Sequence, residues 1–376
     1  MTDTSTSAAT ASPPTPDATT LVTAPAAPAA SAGPAATSAA TAALALNTPR
    51  RFYRGGERIL AFRGLDVPAD FDGYRPEDWV GSTARLFAEG GGGVTTLEGG
   101  TELPDALAAD AAGWFGEAHV ARFGGDPNLL TKLLDSGERL PVHSHPSREF
   151  ATAHLDCDHG KTEAWIVLVA EPGATVWVGF RDELSDDDLA TLVDAQDERL
   201  LAALNPIEVT AGDAVLVPAG QPHAIGEGVL ILELQEPTDF SVMLEHERFG
   251  LELDHAFLGL DRPLALRSVD HGPVGRERLA SLRRRWSDVE GSGPALPDEA
   301  SPYFCAEVVR PVTGDVTVDA AYAATVVVSG SGSLTTSQGT REVAAGDVLL
   351  VPHSAGDVTV AGDVTLIRCM PPRVDG

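Results

Sequence analysis

The chain has 376 residues, 43% of them hydrophobic, which is enough for one large or two smaller globular domains and excludes general disorder. Its 55 acidic and 26 basic side chains give a net charge of −29, which argues against nucleic acid or an anionic membrane surface as a partner. No apolar run approaches the ~20 residues of a membrane span. Three cysteines without a spaced framework suit a reducing compartment, so we expect a cytoplasmic protein.

Residues 1–46 consist almost entirely of Ala, Thr, Ser and Pro, with no aromatic and no basic side chain. Such a segment buries too little apolar surface to offset the entropy lost on ordering. A secretory signal would need a basic stretch and a leucine-rich stretch, and this segment has neither. We therefore expect a disordered tail over residues 1–46.

From Pro49 onward, short apolar stretches alternate with Gly and Pro turns, which predicts a mostly β protein. Helical spacing of apolar residues predicts three helices, over residues 103–111, 185–204 and 276–286. In the second, Ser185 followed by acidic residues is typical of a helix N-terminus. The predicted strands of the first half cover residues 129–134, 164–169, 175–180, 214–217 and 229–234.

A polar, Gly- and Pro-rich stretch over residues 291–302 predicts a linker, and strand patterns return over residues 303–371. The phrase "AGDAVLVPAGQPH", which begins at Ala211, returns as "AGDVLLVPHSAGD" at Ala345. This weak repeat indicates two related β modules. The second copy has no histidine at the position of His223, so we expect the second module to be metal-free.

Two histidine motifs occur in order in the first module. Gly-x5-His-x-His contains His143 and His145, which would point to the same face of a strand, and Gly-x5-Pro-x-Gly-x2-His ends at His223. Between them, "GKTE" ends at Glu163 and opens an apolar strand. A lone His-x-His pair is more often a surface or hydrogen-bonded feature. Together the four side chains instead favour a mixed nitrogen and oxygen site for a borderline divalent metal.

The two histidine motifs resemble those of cupins, and three longer stretches resemble the type I mannose-6-phosphate isomerases, in particular the short bacterial form. These stretches are "NLLTKLLDSGERLPVHSHP", "GKTEAWIVLVAEPGATVWVGF" and "VPAGQPHAIGEGVLILELQEPTDFS". The resemblance covers roughly residues 51–241 and, more weakly, the C-terminal part. It implies two cupin-like jelly-roll β-barrel modules: a catalytic, metal-binding one over residues 47–290, with a small helical insertion near 185–204, and a metal-free one over residues 300–376.

The resemblance also implies the chemistry, which is interconversion of mannose 6-phosphate and fructose 6-phosphate by proton transfer through an enediol(ate). The family's zinc ligands fall on His143, His145, Glu163 and His223, with one Zn²⁺ per chain; the family often has Gln at the first position. The implied partner is a small phosphosugar, with no nucleic acid and no membrane. We expect a monomer or a small homo-oligomer.

The proton transfer needs a base, and the chain has only two lysines, Lys132 and Lys161, against 24 arginines. An ammonium group can shift its pKa on burial and move a proton, which a guanidinium cannot easily do. Both lysines lie in the stretches that carry the resemblance, so we predict catalytic roles for Lys161 and Lys132. The alternative is that each only pairs with a carboxylate.

Arg148 and Glu236 are predicted to contact the substrate, with a solvated arginine and a structural carboxylate as the alternatives. One departure from the family concerns the segment after Gln235. The family often has an arginine soon after the position of Asp239, whereas here no arginine appears before Arg248. Either another arginine substitutes, or the substrate differs.

Three functions therefore remain open. A zinc aldose–ketose isomerase is favoured by the lysine of "GKTE" and by the long gap between the His-x-His pair and Glu163. An iron cupin oxygenase would use the same ligand types and consume oxygen. A non-catalytic sugar-binding cupin would bind its ligand without turnover. Within the isomerase class the sugar stays open as well, because another hexose or hexose phosphate would need similar ligands.

Overall fold

The computed structural model describes residues 41–86 and 92–374, and within them the predicted mostly β fold is confirmed. The strands are β1 (Ala42–Ala43), β2 (Glu77–Val80), β3 (Leu130–Ser136), β4 (His143–Ser144), β5 (Glu163–Ala170), β6 (Thr175–Phe180), β7 (Leu204–Glu208), β8 (Asp213–Val217), β9 (His223–Ile225), β10 (Val229–Gln235), β11 (Val242–Met243), β12 (Arg283–Arg285), β13 (Gly293–Pro294), β14 (Cys305–Val309), β15 (Val316–Val318), β16 (Ala323–Thr336), β17 (Gly339–Ala344), β18 (Val348–Val351) and β19 (Val358–Met370).

The helices are short and lie between the strands of the first module or just after them. They are α1 (Glu57–Phe62), α2 (Leu103–Ala109), α3 (Ala111–Phe115), α4 (Glu117–Phe123), α5 (Arg148–His154), α6 (Asp186–Ala195), α7 (Glu198–Ala202), α8 (Leu253–Ala256), α9 (Arg262–Leu266) and α10 (Arg276–Ser281), with 3-10 turns at Glu247–Phe249, Trp286–Asp288, Asp298–Ala300 and His353–Ala355. Over the described ranges, no helix has the length and apolar character needed to cross a bilayer.

The strands form three antiparallel sheets. In the first module, a six-stranded sheet has the order β12-β8-β5-β10-β3-β2, and a five-stranded sheet has the order β11-β4-β9-β6-β7. The third sheet has eight strands: β1-β18-β16-β19-β14-β13 form its main path, with β15 added on β19 and β17 on β16. The side chains of His145, just after β4, and of His223 on β9 contact Glu163 on β5, so the five-stranded and six-stranded sheets meet at one place.

The five strands predicted in the first half correspond to β3, β5, β6, β8 and β10. Strand β10 shows why their apolar runs are continuous rather than alternating. It lies between β5 and β3, and all of its residues are buried. A strand covered on both faces needs apolar side chains at successive positions, so the carboxyl side chain of Glu233 within it stands out.

The internal repeat has a structural counterpart in the turns that precede β8 and β18. Gly212 and Gly346 both have positive φ, at 100° and 92°. A Cβ atom would lie 2.5 Å from Ser287 Oγ at Gly212, and 2.3 Å from the carbonyl oxygen of Phe62 at Gly346. Both positions therefore need glycine, for conformation and for space.

Several predicted elements differ in their bounds. Helix 276–286 is wrong in its second half, because α10 ends at Ser281 and Arg283–Arg285 form the edge strand β12 on β8. Arg285 Nη1 lies 3.0 Å from Asp213 Oδ1, so the arginine run is tied to a strand rather than lying on a helix. The predicted linker contains β13, which pairs with β14. The helix predicted over residues 185–204 divides into α6 and α7 at Gln196, whose φ is 47°.

The predicted disordered tail is too long at its C-terminal end. Ala42 and Ala43 pair with Leu350 and Leu349 of β18, and the Leu44 side chain is buried. The physical reason is that β18 offers an unpaired edge, which a strand from the start of the chain completes. The part of the prediction that concerns residues 1–40 lies outside the described residues.

Candidate metal centre

Three histidine side chains converge between the two sheets of the first module. His143 lies on β4, directly opposite His223 on β9, and His145 follows two positions after His143. All three are buried, and one ring nitrogen from each lies within 4.8 Å of the others. The His-x-His spacing and the second histidine motif thus meet in space, as the sequence predicts.

Each imidazole is oriented by a backbone carbonyl. The contacts are His143 Nδ1 to Pro141 O at 2.9 Å, His145 Nδ1 to Phe240 O at 2.8 Å, and His223 Nδ1 to Gln221 O at 2.9 Å. A carbonyl oxygen only accepts hydrogen bonds, so each Nδ1 must carry the proton and each Nε2 presents a lone pair. Metal-binding histidines are held in this way.

The electrostatic surroundings keep two of these rings neutral. Burial, and then the neighbouring His223, hold the pKa of His143 well below its usual value. Burial, together with the ammonium of Lys161, lowers the pKa of His145 to about 3. Both rings are therefore unprotonated at neutral pH and are available as ligands.

Glu163, at the start of β5, completes the cluster. Its Oε2 lies 3.0 Å from His145 Nε2, and its Oε1 lies 3.2 Å from His223 Nε2. Burial opposes the charge of Glu163, but Lys161 and His145 outweigh it and hold the carboxyl pKa well below its usual value. Among the described residues, His223 Nε2 has no hydrogen-bond partner. Lone pairs that face each other without a proton between them repel, and a cation removes this repulsion, so the donor set fits a divalent metal.

Lys161 lies against two of the predicted ligands. Its Nζ is 2.8 Å from His145 Nε2 and 3.0 Å from Glu163 Oε2, and the side chain is buried. The turn that carries it is held close to the His-x-His turn. The Lys161 N–H donates to Pro146 O, and a Cβ atom at Gly160 would lie 2.7 Å from the backbone nitrogen of Arg148.

Lys132 lies on β3, in a row of side chains that crosses the six-stranded sheet. Its register partners are Trp79 on β2 and Glu233 on β10, and Glu233 is in turn opposite Trp165 on β5. Lys132 Nζ is 3.7 Å from Glu233 Oε2 and lies 4.7 Å from the centre of the Trp79 ring. It is also 3.4 Å from Glu77 Oε2.

Both lysines line one small cavity next to the histidine cluster. Its volume is about 30 Å³, and its lining includes His143, Lys161 and Glu163 at one side. Lys132, Glu233 and Asp239 also line it, together with Arg51. The cavity therefore joins the predicted ligands to both predicted catalytic lysines.

The sequence analysis missed three of the residues at this cavity, Arg51, Tyr53 and Glu77. Arg51 donates to Asp239 through Nη1 at 3.0 Å and Nη2 at 3.1 Å. Glu77 accepts from Trp79 Nε1 at 2.6 Å and from the Tyr53 hydroxyl. The available signal was the acidic pair at the start of β2, since charged residues in a buried strand need partners. An arginine thus does contact Asp239, but this arginine, Arg51, lies 188 positions earlier in the sequence.

Arg148 and Glu236 pair with each other. The Arg148 guanidinium also lies 4.8 Å from the centre of the Tyr303 ring, and Glu236 Oε2 accepts the Thr162 N–H at 2.8 Å. Neither is among the described residues that line the cavity. The pair instead fixes the turn that carries Lys161.

Comparison with known proteins shows which proteins share this architecture. The protein-family model described as "Mannose-6-phosphate isomerase, cupin domain" matches residues 299–371 of this chain, which span β14–β19. The mannose-6-phosphate isomerase of Streptococcus mutans is 30% identical over 319 residues, which cover 83% of this chain and 93% of that protein.

Solved structures show the same fold. A putative mannosephosphate isomerase from Archaeoglobus fulgidus aligns over 89% of this chain and 98% of its own, with a TM-score of 0.69 and 19% identity. A mannose 6-phosphate isomerase bound with zinc and yttrium aligns over 89% and 100%, with a TM-score of 0.66 and 14% identity. The chain belongs to the type I mannose-6-phosphate isomerase family of cupin-fold aldose–ketose isomerases, as its motifs predict.

Proposed function

We propose that this protein interconverts mannose 6-phosphate and fructose 6-phosphate, with one zinc ion held by His143, His145, Glu163 and His223. The observation that carries the proposal is the convergence of unprotonated imidazole nitrogens on a carboxylate, with an ammonium group alongside. Two of the comparisons support it, since the Streptococcus mutans relative is named for this reaction and one structural neighbour contains zinc.

The metal and the lysines would divide the chemistry between them. When bound, zinc would act as a Lewis acid that stabilises the negative charge developing on the substrate oxygens. Lys161 Nζ, beside two of the ligands, is the group we assign to moving the proton between C1 and C2, a step in which it would have to act from the neutral amine form rather than as the ammonium group. Lys132 remains an ammonium group: burial lowers its pKa, but Glu77 and Glu233 together raise it. Its role is to donate hydrogen bonds to substrate oxygens.

The charge of the cavity suits a phosphate ester. Burial, chiefly, raises the pKa of Glu233 to about 8, so this carboxyl is mostly neutral at pH 7. The remaining lining charges balance, three positive against three negative: Arg51, Lys132 and Lys161 against Glu77, Glu163 and Asp239. A divalent metal would leave two positive charges, which match the roughly −2 charge of a phosphate monoester.

The size of the cavity adds a requirement. Ligand sites usually offer about 300 Å³ or more, and the present cavity of about 30 Å³ cannot hold a hexose phosphate. The substrate therefore enters only when lining segments separate. A cytoplasmic location and a monomer or small homo-oligomer stay predictions.

A coupled assay for fructose 6-phosphate tests this function. We expect the zinc-loaded protein to convert mannose 6-phosphate, and to leave mannose unchanged at the same concentration. Absence of turnover with bound zinc would contradict the proposal, and tight binding of mannose 6-phosphate without turnover would favour the non-catalytic sugar-binding alternative. Faster conversion of mannose would show that the substrate is not phosphorylated.

A further inference from the structure

Arg51 is the one guanidinium among the described residues that line the cavity. Its side chain is 13% exposed and is held by a two-point contact with Asp239. A guanidinium has five N–H donors. The hydrogen bonds to Asp239 use one from each terminal nitrogen. Nε lies 3.1 Å from Glu77 Oε1 but is not aligned for a hydrogen bond, and within the described ranges it has no other partner.

The other cations near the cavity are engaged differently. Lys161 is bound to His145 and Glu163 at the metal cluster. Lys132 lies between two carboxylates deep in the six-stranded sheet. Arg148 is paired with Glu236 away from the cavity. Arg51 thus combines a fixed position with donors that are not yet used.

A fixed guanidinium with unused N–H groups can bind phosphate oxygens, and the donors that Asp239 leaves over on Arg51 are Nε and the second hydrogen of each terminal nitrogen. Asp239 fixes the position of the Arg51 guanidinium, as a supporting residue does for a group that binds a ligand. Resting on the proposed function, we propose that Arg51 binds the phosphate group of the substrate and that Asp239 positions it.

The test compares inhibitors with and without a phosphate. The probes are a hexitol 6-phosphate, which cannot isomerise, and the same hexitol without phosphate. In Arg51→Gln we expect the inhibition constant of the hexitol 6-phosphate to rise about 10- to 100-fold, as for a lost charge-assisted contact, while that of the hexitol is unchanged. Arg51→Lys should fall between, and zinc content should remain at the wild-type level.

Arg139 provides a matched control. It makes the same two-point pair, with Glu245 at 2.7 Å and 2.6 Å, and its side chain is 14% exposed. It is not among the described lining residues of the cavity. Arg139→Gln should therefore leave both inhibition constants unchanged. An equal effect of Arg139→Gln would overturn the proposal, as would a lowered but measurable turnover in Arg51→Gln with both inhibition constants unchanged.

A second pair of variants covers the case in which Arg51→Gln does not fold, because it removes the guanidinium that contacts Asp239. Arg51→Gln with Asp239→Asn removes both charges, and Asp239→Asn alone keeps the guanidinium. Asp239→Asn should bind the hexitol 6-phosphate about 10-fold more tightly than the double variant. Equal binding by the two would overturn the role of Arg51. Turnover by the wild type is measured first, so that its absence counts against the proposed function and not against Arg51.

Discussion

The residues at the cavity form two charged groups, one at the metal cluster and one on the six-stranded sheet. Lys161 belongs to the first, through His145 and Glu163. Lys132 belongs to the second, through Glu77 and Glu233. On the proposed function, this difference is the reason for giving proton movement to Lys161 and substrate hydrogen bonding to Lys132, although the sequence alone treats them alike.

Glu77 connects its group to the stability of the fold. Burial opposes its charge, but Arg51 and Lys132 outweigh this and lower its pKa to about 2. The unfolded value is about 4.3. A carboxyl with a lowered folded pKa adds stability that is fully present above the unfolded pKa and is lost as the pH falls through the folded pKa.

Between about pH 5 and pH 3, the free energy of unfolding of the wild type should therefore fall by roughly 1–2 kcal/mol more than that of Glu77→Gln. Urea unfolding at several pH values measures this difference. Glu98→Gln, at an exposed position, serves as the control and should follow the wild type. Parallel curves for Glu77→Gln and the wild type would show that the pKa of Glu77 is the same in the folded and the unfolded protein, and would contradict this expectation.

Residue-level prediction from sequence succeeds where spacing is local. Strand periodicity places His143 and His145 on one face, and the turn before β9 brings in His223. The contact of Arg51 with Asp239 spans 188 positions, so no local pattern indicates it. Arg148 and Glu236 illustrate the same limit, because only the fold shows that they face each other rather than the cavity.

At the scale of elements, the edge of β18 is completed by the short strand β1. The Leu44 N–H donates to Val348 O at 2.9 Å, and Arg63 Nη2 donates to Leu44 O at 2.6 Å. The Leu44 side chain is 6% exposed and belongs to the hydrophobic core. These contacts lie within a segment whose composition alone predicts disorder.

Removal of residues 1–46 should therefore destabilise the protein more than removal of residues 1–40. The expected difference is about 2 kcal/mol, the usual contribution of one buried leucine, and it should lower the midpoint of thermal unfolding. The shorter truncation is the control, because it keeps β1 and Leu44. Equal midpoints for the two truncations would mean that β1 contributes nothing to stability.

The elements that sequence predicts well are buried strands with long apolar runs, such as β5 and β10. The elements that it misses depend on distant partners. Strand β12 exists because it pairs with β8 and because Arg285 reaches Asp213, 72 positions away. Helical spacing around residues 276–286 cannot reveal this pairing.

On the scale of the whole molecule, a strongly negative net charge contrasts with a cavity whose lining charges balance. The net charge of −29 would repel a phosphosugar at long range, so binding has to rest on the local cations and the metal. In the part of the chain that the structure describes, His143, His145 and His223 form the one cluster of His, Cys, Asp or Glu side chains that could hold a metal ion. One metal per chain is therefore the stoichiometry that we expect.

Zinc titration of the metal-free protein tests the central claim most directly. Fructose 6-phosphate formation from mannose 6-phosphate should be absent without metal, and should rise until one equivalent of zinc per chain is bound. Glu163→Gln should need more zinc for the same occupancy, because it replaces a charged ligand with a neutral one. Full turnover by the metal-free protein, or none with one zinc bound per chain, would contradict the account.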